Sequence, residues 1–152
     1  MKIINKVVSC LYDDTIYDGS SDPIVNALRG NDENSGYLAV TLVPGGTTDN
    51  DTGRPEPRVT LADAQGEQIY GALVTLSPGS QRCGIVTSGI VPFRRNSGSA
   101  AGDIGNGIWG DSTEAGQVVP SNAPTKGRGI IVARDTNRVF VDLDMSGQNT
   151  TT

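Results

Sequence analysis

The sequence contains no histidine among its 152 residues. Histidine is the commonest general base at neutral pH, the usual partner of a serine or cysteine nucleophile and a frequent zinc ligand. Its absence therefore excludes several large classes of hydrolase and zinc site, and the sequence has no G-x-S-x-G, Walker or C-x-x-C motif. We expect a structural or binding protein without catalytic residues, a metal site or a cofactor.

Cysteines and long apolar runs are also scarce. The two cysteines, Cys10 and Cys83, lie 73 positions apart and lack metal-ligand spacing. No run approaches the roughly 20 apolar residues of a membrane span, and the first ten residues are too short and too polar for a signal peptide. We therefore expect a chain that is made in a cytoplasm, does not contact membranes and keeps its thiols reduced.

Aromatic residues make up only 5% of the chain, whereas it contains 20 glycines and 8 prolines. This composition predicts a single domain that is held by small aliphatic side chains, specified by turns and poor in helix. The net charge of −5 argues against a nucleic-acid partner, because phosphate recognition needs clustered lysine and arginine.

Short apolar runs alternate with turn-rich segments over residues 84–145, at 85–86, 90–93, 117–119, 130–133 and 139–145. The rhythm predicts an all-β fold, a small turn-rich β-barrel or β-sandwich with one short helix. The last run should form a hairpin with residues 129–134. Its alternation predicts one buried face, consisting of Val139, Val141, Leu143 and Met145, and one wet face, consisting of Phe140, Asp142 and Asp144.

The first half divides into an N-terminal strand or arm over 1–20 and the start of a β domain over 21–145. The helix is predicted at 22–30, with Asp22 as its cap, Pro23 at its first position and Gly30 at its end. Strands are predicted at 37–43, 59–62 and 68–76, with a turn at 63–66. The long polar stretch 45–57 predicts a mobile loop, and 146–152 a flexible tail.

The glycine-rich run at 105–110 and the tryptophan within it each have competing interpretations. Residues 105–110 match G-x-G-x-x-G, but no helix pattern follows, so we expect no dinucleotide site. Trp109 lies within this run, and its small neighbours favour a core or interface anchor. The candidate interface residues are Ile3, Ile4, Val7, Val8, Arg94, Arg95 and Trp109.

The second half of the chain contains small residues at 100–103, a Gly110-Asp111 pair and the run 115–118, and it is closed by the hairpin over 129–143. These features resemble the β-barrel decoration (cement) proteins of tailed bacteriophage heads. The resemblance covers about residues 71–143. It implies a non-enzymatic virion protein that sits on the expanded capsid as a homotrimer and clamps neighbouring major capsid protein subunits. An N-terminal arm over 1–11 could then add a strand to a neighbour's sheet.

Two other functions fit parts of the pattern. A trimeric fibre or receptor-binding domain would have the same composition, but it needs an exposed aromatic platform that few aromatics can supply. A metal-dependent trimeric nucleotide hydrolase would use Asp103 and Asp111, beside Trp109, to hold a cation-bridged phosphate.

Overall fold

The computed structural model describes residues 7–12, 31–43, 47–48, 55–77, 82–96, 104–111, 114–121 and 127–145. These ranges are all-β, as predicted. They contain β1 Val7–Tyr12, β2 Leu38–Leu42, β3 Thr47–Thr48, β4 Pro55–Glu56, β5 Arg58–Leu61, β6 Gly71–Ser77, β7 Arg82–Val86, β8 Ile90–Arg94, β9 Ile108–Gly110, β10 Val118–Pro120, β11 Ile130–Arg134 and β12 Arg138–Asp142.

Several predictions concern residues outside the described ranges. These are the helix at 22–30, the tail at 146–152, the interface residues Ile3 and Ile4, and the hydrolase candidate Asp103. Across the described residues, no helix is long and apolar enough to cross a membrane.

Five strands close into a barrel in the order β1-β5-β2-β6-β7, with β7 paired back to β1. Neighbouring strands are antiparallel except β1 and β5, which run parallel and share two residue pairs, Leu11 with Arg58 and Tyr12 with Val59. The barrel core is a cluster of nine buried residues, Cys10, Tyr12, Leu38, Val40, Val59, Leu61, Leu73, Cys83 and Ile85. Residues 7–12 are therefore a barrel strand.

A second layer packs against the outside of this barrel. It consists of the three-stranded sheet β11-β12-β8 and the two-stranded ribbon β10-β9. Ala39 of β2 and Ala72 of β6 are paired in register and belong to the second core, together with Phe93 and Val141 of the sheet. Because alanine side chains are short, the sheet can approach the barrel backbone closely and exclude water between the layers.

Strand β2 is consequently buried on both faces. Leu38 and Val40 point into the barrel core, whereas Ala39 belongs to the second core and Thr41 is also buried. The prediction of a strand at 37–43 is confirmed. Leu42, the last residue of the strand, is exposed.

The closing hairpin is confirmed with one correction. β11 pairs with β12, and Val139, Val141 and Leu143 are buried as predicted. Met145 is 42% exposed, so its assignment to the buried face was wrong. The strand ends at Asp142 and a turn follows. The alternation of apolar and polar residues continues to residue 145 in the sequence, but the alternation of buried and exposed side chains ends with the strand.

The turn at 63–66 is present, and Gly66 adopts a positive φ of 81°. The strands on either side of it are not neighbours, however, because β2 lies between β5 and β6. Part of the stretch predicted as a loop at 45–57 forms strands, since β3 pairs with β4. A salt bridge from Glu56 to Arg82 links β4 to β7.

Candidate functional site

The predicted interface residues that the structure describes lie in two separate regions. Val7 and Val8 belong to β1, which pairs with β5 and β7 in the barrel. Arg94 ends β8, Arg95 follows it, and Trp109 is the middle residue of β9, so these three belong to the second layer. β1 is not adjacent to β2 or β6, the strands that present Ala39 and Ala72 to that layer.

On the barrel, Val7 and Val8 point in opposite directions. Val7 is 59% exposed, whereas Val8 packs against the barrel core. Val7 borders a shallow cavity of about 290 Å³, whose other lining residues are Ser9, Thr75, Arg82, Cys83 and Gly84. A side chain at Gly84 would fill part of it, since a Cβ there would lie 2.6 Å from Thr75 Oγ1. The exposed face of β1 therefore borders an arginine as well as small side chains.

The two arginines line a different cavity, of about 220 Å³, together with Ser35, Gln117 and Asn137. Arg95 is fixed there by its guanidinium, whose Nη1 donates to the carbonyl oxygens of Thr136 at 2.9 Å and Asp135 at 3.3 Å. Its backbone N–H donates to the Asn137 carbonyl at 3.0 Å. The loop between β11 and β12 therefore holds Arg95 in place.

A tight turn over residues 32–36 places Ser35 at the rim of this cavity. The Ser35 N–H donates to Asp32 Oδ1 at 2.7 Å, and Gly36 adopts a positive φ of 87°. Tyr37 then bonds along β8, donating its N–H to the Pro92 carbonyl at 2.9 Å and accepting from the Arg94 N–H at 2.8 Å. The turn is thus attached to the strand that carries Arg94.

Electrostatics around the arginines are mixed. Burial lowers the pKa of Arg94, and the nearby Asp32 carboxylate raises it. Arginine remains charged at neutral pH because its ordinary pKa exceeds about 12. Burial, followed by Glu33 and Asp32, raises the pKa of Tyr37, so its phenol is neutral. The cavity therefore presents positive charge beside an acidic turn, and an acidic partner group would have to approach from the arginine side.

Trp109 lies on the outer face of the β9-β10 ribbon. Its neighbours Ile108 and Gly110 are buried, whereas Trp109 is half-buried and is paired in register with the half-buried Val119. Of the two predicted roles, core or interface anchor, its position suits the second. A rigid ribbon thus presents an aromatic ring and an aliphatic side chain next to each other.

The ribbon adjoins the arginine pair directly. Arg95 forms a parallel bridge with Val118 of β10, and the Asn96 N–H donates to the Val118 carbonyl at 3.1 Å. The Asn96 amide also donates to Asp111 Oδ2. We use the name Trp–Arg surface for the partly exposed residues around this junction, Arg94, Arg95, Trp109 and Val119. Arg95 is in register with Val118 and Trp109 with Val119, so Arg95 and Trp109 project from opposite sides of these strands.

Two residues beside this surface were not predicted from the sequence. Arg138 of β12 is paired in register with Arg94, and its guanidinium lies 4.8 Å above the Phe140 ring. Arg138 also forms a salt bridge of 2.6 Å with Asp135. The signal was available, because residues 138 and 140 share one face of a strand, but the pattern identified that face only as wet.

The carboxylates of Asp142 and Asp144 stabilise turns by accepting backbone hydrogen bonds. Asp144 Oδ2 accepts from the Gly89 N–H at 3.0 Å, and Asp142 Oδ1 accepts from the Asp144 N–H at 3.1 Å. The G-x-G-x-x-G run ends in the antiparallel strand β9. In the part of the chain that the structure describes, no group of three or more Cys, Asp or Glu side chains could hold a metal ion.

The arrangement is chemically suited to recognition. It offers one aromatic ring, adjoining aliphatic surface and fixed guanidinium groups, which together match a partner surface that is partly apolar and partly acidic. Neither a protein-family model nor a curated protein significantly matches this chain.

Proposed function

We propose that this chain is a structural virion protein that binds the outside of an expanded bacteriophage capsid and clamps neighbouring major capsid protein subunits. The resemblance of residues 71–143 to phage cement proteins supports the proposal. In this proposal the protein is not an enzyme, assembles as a homotrimer and reaches the capsid exterior after synthesis in the host cytoplasm.

The observation that carries the proposal is the Trp–Arg surface. Tryptophan and arginine are the residue types that most often dominate binding energy at protein interfaces. Trp109 is mounted on a paired ribbon, and Arg95 is already bonded to two backbone carbonyls. Side chains that are ordered before binding lose less conformational entropy on association, so this surface is preorganised for a partner.

Charge favours an acidic patch on the capsid as the acceptor. The chain carries a net charge of −5, yet Arg94, Arg95 and Arg138 lie together at one end of the second layer. Asp32 lies near Arg94 and Asp135 pairs with Arg138, so the arginines recognise a partner's carboxylates through their hydrogen-bond donors more than through a net positive charge, and association through them depends on salt.

A protein that clamps two subunits must keep its own fold under load. The two hydrophobic cores of this protein share strand β2, which joins the barrel to the second layer. A protein that binds the expanded lattice but not its precursor stabilises the expanded form by mass action. Each contact needs to bury only about 800 Å² per partner to be specific.

The test is density-gradient co-sedimentation with expanded, undecorated heads of the phage that encodes the chain, with light scattering to measure the free oligomer. We expect saturable, stoichiometric binding. Trp109→Ala should weaken it about 30-fold, the equivalent of about 2 kcal/mol for a central interface residue. Leu42→Ala is the matched control, because Leu42 is 48% exposed on β2 and lies outside the Trp–Arg surface.

Two results would count against the proposal. Absence of binding to any head, with a stable trimer in solution, would favour the fibre or receptor-binding function. Binding that is intact in Trp109→Ala but lost in Leu42→Ala would keep a capsid function and would move the interface from the second layer to the barrel.

A further inference from the structure

Cys10 and Cys83 lie directly opposite each other although 73 positions separate them in the sequence. β1 and β7 are antiparallel, and their register pairs Cys10 with Cys83. Both side chains belong to the barrel core, with 0% and 4% of their surface exposed, and both are free thiols. The Cys83 Sγ lies 3.4 Å from the Cys10 carbonyl oxygen. The two thiols are therefore cross-strand neighbours inside the barrel.

The backbone at this pair has the separation that a disulfide requires. The Leu11 N–H donates to the Pro57 carbonyl at 3.0 Å, on the β5 side. Alternate residues of a strand direct their polar groups to opposite sides, so those of Cys10 face β7. Cys10 and Cys83 therefore form a hydrogen-bonded pair, for which Cα atoms lie about 5.5 Å apart. Disulfides span Cα separations of about 4.4–6.8 Å, so the backbone separation of this pair lies within the range of a disulfide.

Burial keeps both thiols in the unreactive protonated form. It raises the pKa of Cys10 to about 11, with a further contribution from Glu56. It raises the pKa of Cys83 to about 12, with a further contribution from Cys10. Because the thiolate is the reacting species, oxidation of the closed barrel is slow, and opening of β1 makes it faster. The β1–β5 seam of two residue pairs is the short connection of the barrel at which such opening is easiest.

We propose that Cys10 and Cys83 are a latent intramolecular disulfide that closes in the presence of a peroxide and fastens β1 to β7. One thiolate attacks a peroxide oxygen, the O–O bond breaks, and a sulfenic acid and water result. The sulfur of the second cysteine then attacks the sulfenic sulfur, the S–S bond forms, and the hydroxyl leaves as a second water. The two thiols lose two electrons and two protons, and one peroxide is reduced.

This inference is independent of the proposed capsid function. The bond would close a long loop between residues 10 and 83, which restricts the unfolded chain strongly. We expect the melting temperature of the oxidised protein to rise by about 10 °C.

The experiment treats the purified full chain with a small excess of hydrogen peroxide and then counts thiols in denaturant. We expect two titratable thiols to fall to none, a disulfide-linked peptide pair in the mass spectrum, a monomeric band on a non-reducing gel, and reversal by dithiothreitol. Cys10→Ala and Cys83→Ala are the controls, in which peroxide should not raise the melting temperature.

The proposal is wrong if both thiols survive peroxide. It is equally wrong if each cysteine is oxidised separately to a sulfinic acid, or if the bond joins two chains. Because the wild-type protein alone gives these readouts, the test stands even if a control variant folds poorly.

Discussion

Gly36→Ala is expected to be among the most destabilising single substitutions in the turns of this protein, since Gly36 is buried against β8. A Cβ at residue 36 would lie 2.6 Å from the backbone nitrogen of Arg94 and 2.7 Å from the carbonyl carbon of Phe93. Both are backbone atoms, so no side chain can rotate away to make room. The turn over 32–36 would have to lift off β8.

Two costs combine in this substitution. The positive φ of 87° costs an alanine about 1–2 kcal/mol. Lifting the turn breaks the Tyr37–Pro92 and Arg94–Tyr37 backbone bonds, worth about 1 kcal/mol each. The free energy of unfolding should therefore fall by about 3–4 kcal/mol.

Gly66→Ala is the matched control. Gly66 has a similar φ of 81°, but nothing lies within 4 Å of a Cβ placed there. It should lose only the backbone cost of about 1–2 kcal/mol. Urea unfolding followed by the fluorescence of the single tryptophan measures both variants. Equal losses in the two variants would refute the reasoning, because they would show that the contact with β8 contributes nothing.

Two further predictions concern cooperativity and pH. Leu38→Ala in the barrel core and Phe93→Ala in the second core should each lower the free energy of unfolding by about 3–4 kcal/mol. Because β2 joins the two cores, each variant should still unfold in a single urea transition. Two separate transitions would contradict this prediction. The hydrogen bond from Arg138 lowers the pKa of Asp135. The ionised Asp135 carboxylate therefore stabilises the folded protein above about pH 4, and this contribution is lost as the pH falls through the lowered pKa. Asp135→Asn should therefore be less stable than wild type at neutral pH, with a difference that shrinks in acid; a constant difference in urea unfolding would disprove it.

Local patterns predicted local structure well. The alternation of Val139 and Val141 located a buried strand face, and the run Asp63-Ala64-Gln65-Gly66 located the turn. Each of these features depends on a few consecutive residues. Their physical cause, side-chain period or backbone conformation, is therefore visible in the sequence.

Apart from the closing hairpin, the pairing of strands was not visible in the sequence. Nothing local indicates that β2 inserts between β5 and β6, or that it is buried on both faces with Ala39 turned toward a second layer. The same limitation concealed the contact between Cys10 and Cys83, because strand register is set by the whole sheet.

The candidate site was predicted in part. Arg94, Arg95 and Trp109 were selected by residue type, and the structure places the arginines at one side of β10 and Trp109 on β9 at its other side. Val7 lies elsewhere, on the barrel. Arg138 and Phe140 were not selected, although the sequence places them on one strand face, because their position beside Arg94 depends on the pairing of β12 with β8, which the sequence does not show.

The position of β1 also affects how the chain is made. β1 ends at Tyr12, and β7, its long antiparallel partner, begins at Arg82. At a synthesis rate of about 5–20 residues per second, the ribosome needs roughly 4–14 s to add the residues between them. During that interval the nascent strand VVSCLY carries backbone groups that have no partner in β7. The chain thus has a window, set by translation speed, in which this apolar edge is open to chaperones or to another nascent chain.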